Sequence, residues 1–179
     1  MSKKIKKKEG GVVKSKDDIL SEEHERLKES FIRLAGTEEG KKFFSYIFRE
    51  CGVLTTTHAP EAKEEAYREG FCSVYLAVLR PFIRKSKYLS EIERMKVETK
   101  DYQDALVKMA KTVDGIAVLH ALVNSTGVFR VSAHLNAESG YDPLGTEYNI
   151  GRKSVYLNIV RPMLEDLDEL DKIERPEVN

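Results

Sequence analysis

Cysteine is scarce in this 179-residue sequence, charge of one sign does not prevail, and no long hydrophobic run occurs. The two cysteines, Cys51 and Cys72, do not form the pattern of a small secreted scaffold, so both are expected as reduced thiols in a cytosolic fold. Lysine plus arginine number 30, as do aspartate plus glutamate, and this balance argues against a coat dedicated to nucleic acid. No apolar stretch approaches the roughly 18–20 residues of a membrane span, so no integral membrane insertion is expected. The Lys-rich start is followed by no apolar run of leader length, so no signal peptide is expected either. Chemistry-bearing patterns are missing as well. None of the histidines, His24, His58, His120 and His134, stands at metal-ligand spacing from another histidine or a cysteine. His58 and His134 fall in corresponding loops but have no acidic residue specified to orient them, and His120 lies on a mostly apolar helix as a half-buried core residue. Gly10-Gly11 followed by Lys14 is not a phosphate loop. No catalytic residue, metal site or cofactor is assigned, and no enzyme is expected.

What the sequence does contain is a duplication. FIRLAGTEEGKKFFSYIFRECGV at 31–53 returns as LVKMAKTVDGIAVLHALVNSTGV at 106–128, and YREGFCSVYLAVLRPF at 67–82 returns as YNIGRKSVYLNIVRPM at 148–163. The offset is 75 in the first segment and 81 in the second, because the later copy has a loop six residues longer. Gly40 thus pairs with Gly115, Gly52 with Gly127, Gly70 with Gly151, and Pro81 with Pro162. Two amphipathic helices share apolar positions by chance, but not glycines at one spacing together with an SVYL…RP string.

The apolar spacing makes each copy helical. Phe43, Phe44, Ile47 and Phe48 recur at three and four residues, as do Val118, Leu119, Leu122 and Val123. Thr37 and Thr112 stand at N-cap positions, and Gly52 and Gly127 stand where those helices stop. The pattern predicts helices over 17–35, 38–51 and 60–80, with Pro81 kinking or ending the third. In the second copy it predicts a long helix over 91–110 opened by a Ser90–Glu93 capping box, one over 113–124, and one capped by Thr146 that runs past Pro162. The expected fold is all-α, with six principal helices in two related three-helix repeats about a pseudo-twofold axis. Its bounds are a basic flexible arm (1–16), a first repeat (17–89), a second repeat (90–173) and a short tail (174–179). Gly70 and Gly151 each cost roughly 1 kcal/mol of helix propensity relative to alanine, so they are expected at close helix crossings.

Charge supplies the candidate binding positions. Residues 1–16 carry seven lysines against one glutamate, either a solvated arm or one that touches nucleic acid or an acidic protein surface. Residues 165–177 hold seven acidic residues against two basic ones, either a solvated face or a docking site for a basic surface. Lys41 and Lys42 open one helix, and Arg152 and Lys153 follow Gly151 in another. Solvated faces or contacts to phosphate and acidic protein both fit these pairs. Phe129, Leu135 and Tyr141 are the loop residues expected to anchor a partner.

At TEEGKKFF…RECGVL, YREGFCSVYLAVL and GRKSVYLNIV the chain resembles a family of small tailed-phage proteins encoded among virion-assembly genes and first named in a podovirus-type phage of Bordetella. The resemblance rests on Thr37, Gly40, Lys41, Lys42, Cys51, Gly52, Val53 and Gly70 in the first copy. In the second it rests on Thr112, Gly115, Gly127, Val128, Phe129, Gly151, Arg152 and Lys153. It covers most of 31–82 and 106–163. The chain departs from the family pattern at Phe71-Cys72 and Ile116-Ala117, each of which replaces a basic pair, so each copy keeps half of any basic site. The resemblance implies a fused pair of units with a structural, head-to-tail assembly or internal role in the virion, and with other virion proteins, portal or tail components among them, as partners. It implies residence in the virion, and in the host cytoplasm during assembly. Self-association and weak DNA contact are compatible with it. A nucleic-acid accessory protein is the first alternative role and a genome-ejection component the second.

Overall fold

Residues 16–52, 61–130, 134–136 and 140–175 are described by the computed structural model. Most of the basic arm, Val53, His58, Pro60 and residues 176–179 lie outside them. Within the described residues the chain is all-α apart from one small hairpin. The helices are α1 (Lys16–Ala35), α2 (Glu38–Glu50), α3 (Ala62–Ser73), α4 (Arg80–Ile83), α5 (Leu89–Arg94), α6 (Thr99–Ala110), α7 (Val113–Thr126), α8 (Pro143–Ser154) and α9 (Leu170–Glu174). Strands β1 (His134–Asn136) and β2 (Gly140–Asp142) pair antiparallel, with Leu135 opposite Tyr141.

Each half turns its first corner by the same device. The Thr37 hydroxyl donates to the Leu34 carbonyl at 2.8 Å and accepts the Gly40 N–H at 3.0 Å. Thr112 does the same between Met109 and Gly115 at 2.9 and 3.0 Å. One hydroxyl thus satisfies an orphan carbonyl of the outgoing helix and an orphan N–H of the incoming one. The corner is so tight that a Cβ on Gly40 would stand 1.9 Å from the Leu34 carbonyl oxygen, and one on Gly115 would stand 1.9 Å from that of Met109. This is why threonine and glycine recur together three residues apart. The stops after α2 and α7 use the other property of glycine: Gly52 and Gly127 have φ of 60° and 67°, which a Cβ disfavours.

Neither Pro81 nor Pro162 simply ends its helix. Ahead of each proline the backbone widens into a π segment, Val74–Leu79 and Val155–Val160. The N–H of Arg80 reaches back to the Tyr75 carbonyl and that of Arg161 to the Tyr156 carbonyl, five residues earlier. Widening moves the preceding carbonyls away from the ring and absorbs the missing N–H. The chain continues through α4 in one half and a short 3-10 turn, Arg161–Met163, in the other.

The halves are tied together reciprocally. Helix α1 packs on α7, α2 packs on α6, and α3 crosses α8 along much of its length. At that crossing a Cβ on Gly70 would lie 2.0 Å from the Tyr148 carbonyl oxygen, and one on Gly151 would lie 2.0 Å from that of Tyr67. Since Tyr67 and Tyr148 are themselves counterparts, each half presents to the other the contact it receives, which is the mark of internal pseudo-symmetry. The expected close crossing is therefore present. One hydrophobic core spans both halves, and Phe31, Phe43, Phe44, Ile47, Leu106, Val118, Leu119, Leu122 and Tyr102 are fully buried in it. Tyr102 stacks on Tyr46 with ring centroids 4.0 Å apart.

The structure corrects three expected elements. The single helix over 91–110 is broken into α5 and α6 by extended residues 95–98, which bury Val97 and let the Met95 carbonyl accept the Ser45 hydroxyl at 2.7 Å. No Ser90–Glu93 capping box forms, because α5 begins at Leu89 and places Ser90 inside the helix, while the Glu93 carboxylate accepts from Arg80 Nε at 2.9 Å and from the Tyr75 hydroxyl at 3.4 Å. Glu174 in α9 repeats this with Arg161 at 3.0 Å and Tyr156 at 2.8 Å. The offset of 81 therefore continues to the last helix of each half, where Ile92 and Ile173 are both fully buried. Helix α8 starts earlier than expected. Asp142 caps it by accepting the Gly145 N–H at 3.0 Å, while the Thr146 hydroxyl donates to the Asp142 carbonyl at 2.8 Å. Helical structure past Pro162 also breaks before resuming as α9.

Candidate functional site

Among the described residues, one concave site lies where the corners of the two halves meet, one belongs to the second half alone, and a groove of about 330 Å³ runs between α3 and α8 beside Glu65, Glu69, Leu144 and Tyr148. The first, about 360 Å³, lies where the two corners meet, between Arg33, Leu34 and Glu39 of one half and their counterparts Lys108, Met109 and Asp114 of the other. Leu34 and Met109 supply its apolar lining. Its ionic groups already have partners: Arg33 Nη2 meets Asp114 at 2.7 Å, and Lys108 faces Glu39 at 3.9 Å. The hydrogen bond from Arg33 is the main cause that holds the Asp114 carboxyl below the ordinary range. The cleft is a seam closed by exchanged ion pairs, and it leaves no charge over.

The second site, about 230 Å³, lies between the C-terminal end of α7 and the middle of α8, and Asn124, Arg130, Asn149, Arg152 and Lys153 are among its lining. Arg152 and Lys153 are carried there because Gly151 brings α8 close to α3 and leaves the next two residues facing α7. Arg152 Nη2 donates to the Ser125 carbonyl and Lys153 Nζ to that of Arg130. These bonds satisfy carbonyls at the end of α7 and in the segment that follows. The sequence-predicted basic pair is thus brought together with a third cation, Arg130, which sequence reasoning did not single out. Nothing in the local pattern around Arg130 marks it; only the fold does.

The other predicted basic pair is placed differently. Lys41 is turned inward, with its side chain 9% exposed and its ammonium between Glu38 and Glu91, the latter at 2.8 Å. Hydrogen bonds that it donates to those two carboxylates hold it well above the ordinary lysine range. Its neighbour Lys42 remains partly exposed, 3.8 Å from Asp101 of α6. Lys41 therefore serves contact between α2 and α5 rather than presenting charge outward. Its counterpart Ile116 packs against the core. Replacing a buried ion pair by an apolar residue is commonly neutral or stabilising, and the carboxylates of Glu38 and Glu91 are exposed enough to regain water. Lys41→Ile should therefore leave the urea midpoint unchanged or raise it. A marked fall would mean that the ion pair is needed to position α5.

Among the anchor residues expected in the loop, Phe129 is 62% exposed, while Leu135 and Tyr141 sit opposite each other in the hairpin. Comparison of equivalent positions reveals further exposed apolar residues. On α8, Leu144 and Ile150 are 45% and 36% exposed, where α3 has Lys63 and Glu69, both exposed. At the start of α7, Val113 is 86% exposed, where α2 has Glu38. Leu76 and Leu157, on the two π segments, are exposed in both halves. Each of these replacements is readable in the sequence once the copies are aligned, but only burial separates an outward leucine from a core one.

Cys51 and Cys72 are free and buried, and burial raises both thiols above the ordinary range. His120 is held between the Ile173 carbonyl, 3.0 Å from Nδ1, and the Asn124 side chain, 2.7 Å from Nε2. Among the described residues no cluster of three or more histidine, cysteine, aspartate or glutamate side chains is placed to hold a metal ion, and no helix is long and apolar enough to cross a membrane. No protein-family model matches the chain, and comparison with curated proteins and with solved structures finds no match either.

Proposed function

We propose that this chain is a non-enzymatic structural or assembly protein of a tailed-phage virion, acting through contacts with other virion proteins on the outer surface of its second half. In this reading the six principal helices are two three-helix units descended from one, fused so that the halves complete each other's core. The observation that carries the proposal is the direction of divergence between the copies. Most core positions have stayed apolar, whereas solvent-facing Lys63 and Glu69 correspond to exposed Leu144 and Ile150. Replacing surface charge with exposed apolar side chains creates a contact surface. Phe129, exposed one residue before the carbonyl that Lys153 reaches, extends that surface beside α8. The resemblance of the two glycine-centred motifs to virion-assembly proteins supplies the setting, including the portal or tail region as the place of contact. Cross-linking of purified virions tests it directly. Links from Lys153 to another virion protein are expected, whereas absence of the protein from virions and from assembly intermediates would sink the proposal.

A second reading, a nucleic-acid accessory role, rests on the seven lysines of residues 1–16. Such an arm gives weak, sequence-independent DNA binding that falls steeply with salt. Deleting residues 1–16 should abolish most retardation of DNA in a low-salt gel. Undiminished retardation by the shortened protein would remove the arm from the account.

A further inference from the structure

We infer that the cleft between the end of α7 and α8 is an anion site that takes a phosphate group. Three cationic side chains, Arg130, Arg152 and Lys153, line it, and no carboxylate of the described residues does so. The terminal carbonyls of α7 contribute only about half a negative charge, so most of the positive charge is left over. Arg152 Nε is buried and has no hydrogen-bond partner, although Nη2 of the same guanidinium is anchored on Ser125. A buried, unpartnered N–H on a charged group is costly, so the second half carries Arg152 at an energetic expense that its counterpart Phe71 avoids.

The first half shows that these cations are not needed to hold the junction. Arg152 and Lys153 correspond to Phe71 and Cys72, and Thr126 corresponds to Cys51. There the same helix ends meet in a closed seam in which Cys51 Sγ lies 3.4 Å from the Phe71 carbonyl and Cys72 Sγ bonds the Cys51 carbonyl. Cys51 and Cys72 are 1% and 8% exposed. The second half has replaced a closed, uncharged seam with an open polar cleft that concentrates like charges. Like charges brought together destabilise a fold unless something opposes them, and a bound anion does so. With a water occupying about 30 Å³ of liquid, a cleft of about 230 Å³ holds a single oxyanion and its remaining hydration rather than a large ligand. Arg130, which is exposed, adds donors beyond the first anion position, which suits a phosphate carried on something larger. The inference does not depend on the assembly role, which concerns the exposed apolar residues.

Isothermal calorimetry of the full-length protein against inorganic phosphate, pyrophosphate and a short single-stranded oligonucleotide tests this. Low-millimolar or tighter binding of phosphate or pyrophosphate is expected. Arg152→Gln should weaken it roughly ten- to hundredfold, the range for loss of a hydrogen bond to a charged group. Because Arg152 also braces the end of α7, the exposed Arg130→Gln serves as the second variant, and Lys85→Gln, exposed and distant in sequence, is the charge control. Tighter oligonucleotide binding that Arg130→Gln abolishes would assign the site to a nucleic-acid backbone. Equal or weaker oligonucleotide binding would assign it to a free or small-molecule phosphate. Failure of phosphate and pyrophosphate to bind at all, or equal weakening by Lys85→Gln and Arg130→Gln, would overturn the inference.

Discussion

Gly151→Ala is expected to lower the thermal midpoint by roughly 6–12 °C, and Gly70→Ala by a similar amount, even though alanine is the better helix former by about 1 kcal/mol. The range follows from an overpacking cost of about 3 kcal/mol and a midpoint shift of about 2–4 °C per kcal/mol for a chain of this size. The obstacle is backbone: the new methyl would stand 2.0 Å from a carbonyl oxygen of the opposing helix, the Tyr67 carbonyl for position 151 and the Tyr148 carbonyl for position 70. A side chain can rotate away from such a contact, but a carbonyl in a helix moves only if the helix moves. Helices α3 and α8 must therefore separate along their length, and Val74, Tyr75, Val155 and Tyr156, all fully buried just beyond the crossing, lose packing with them. Because one crossing carries both glycines, the double variant should cost clearly less than the sum of the singles: the first methyl has already opened the gap that the second needs. Additive losses would mean that the two contacts are independent. A rise in midpoint for both single variants would dismiss the close crossing altogether.

The glycines also show how far the sequence could be read. The duplication made them visible as repeated propensity errors, which anticipated a close crossing without naming the partner at either glycine. The corners at Thr37 and Thr112 were legible for the same reason, since a hydroxyl cap and a glycine three residues later are local chemistry. The break between α5 and α6 was not legible. Residues 95–98 contain no glycine or proline, and their extended shape is fixed by Val97 entering the core and Met95 meeting Ser45, both long-range contacts. The π segments were hidden too, because a proline in a helical pattern is normally read as a stop or a kink, and the widening that accommodates it leaves no composition signal. At the candidate sites the sequence marked Arg152 and Lys153 as a pair. It could not show that Arg130 joins them, or that Lys41 turns inward between two glutamates while Lys42 stays near the surface.

Leu144→Lys combined with Ile150→Glu should prevent stable incorporation of the protein into virions while leaving its thermal midpoint nearly unchanged. The substitutions restore at two α8 positions the kind of charge that Lys63 and Glu69 carry on α3, where the fold demonstrably accommodates them. Both residues are already exposed, at 45% and 36%, so exchange for polar side chains alters stability by no more than about 0.5 kcal/mol. The effect on association is of another size. Anchors at the centre of an interface typically contribute about 2 kcal/mol or more each when truncated, and a buried unpaired charge adds a penalty of its own. Even without the penalty, two such losses weaken a contact by roughly a thousandfold. Phe129→Ala provides a graded comparison, since it removes apolar area beside the same helix without adding charge. Virions assembled with each variant, purified and assayed for the protein by quantitative mass spectrometry, give the measurement. Normal copy number for the double variant would show that α8 faces no partner, and would move the proposed contact away from the second half's outer surface. Depletion accompanied by a lower midpoint would trace the defect to folding instead, which is why both quantities must be measured on the same preparations.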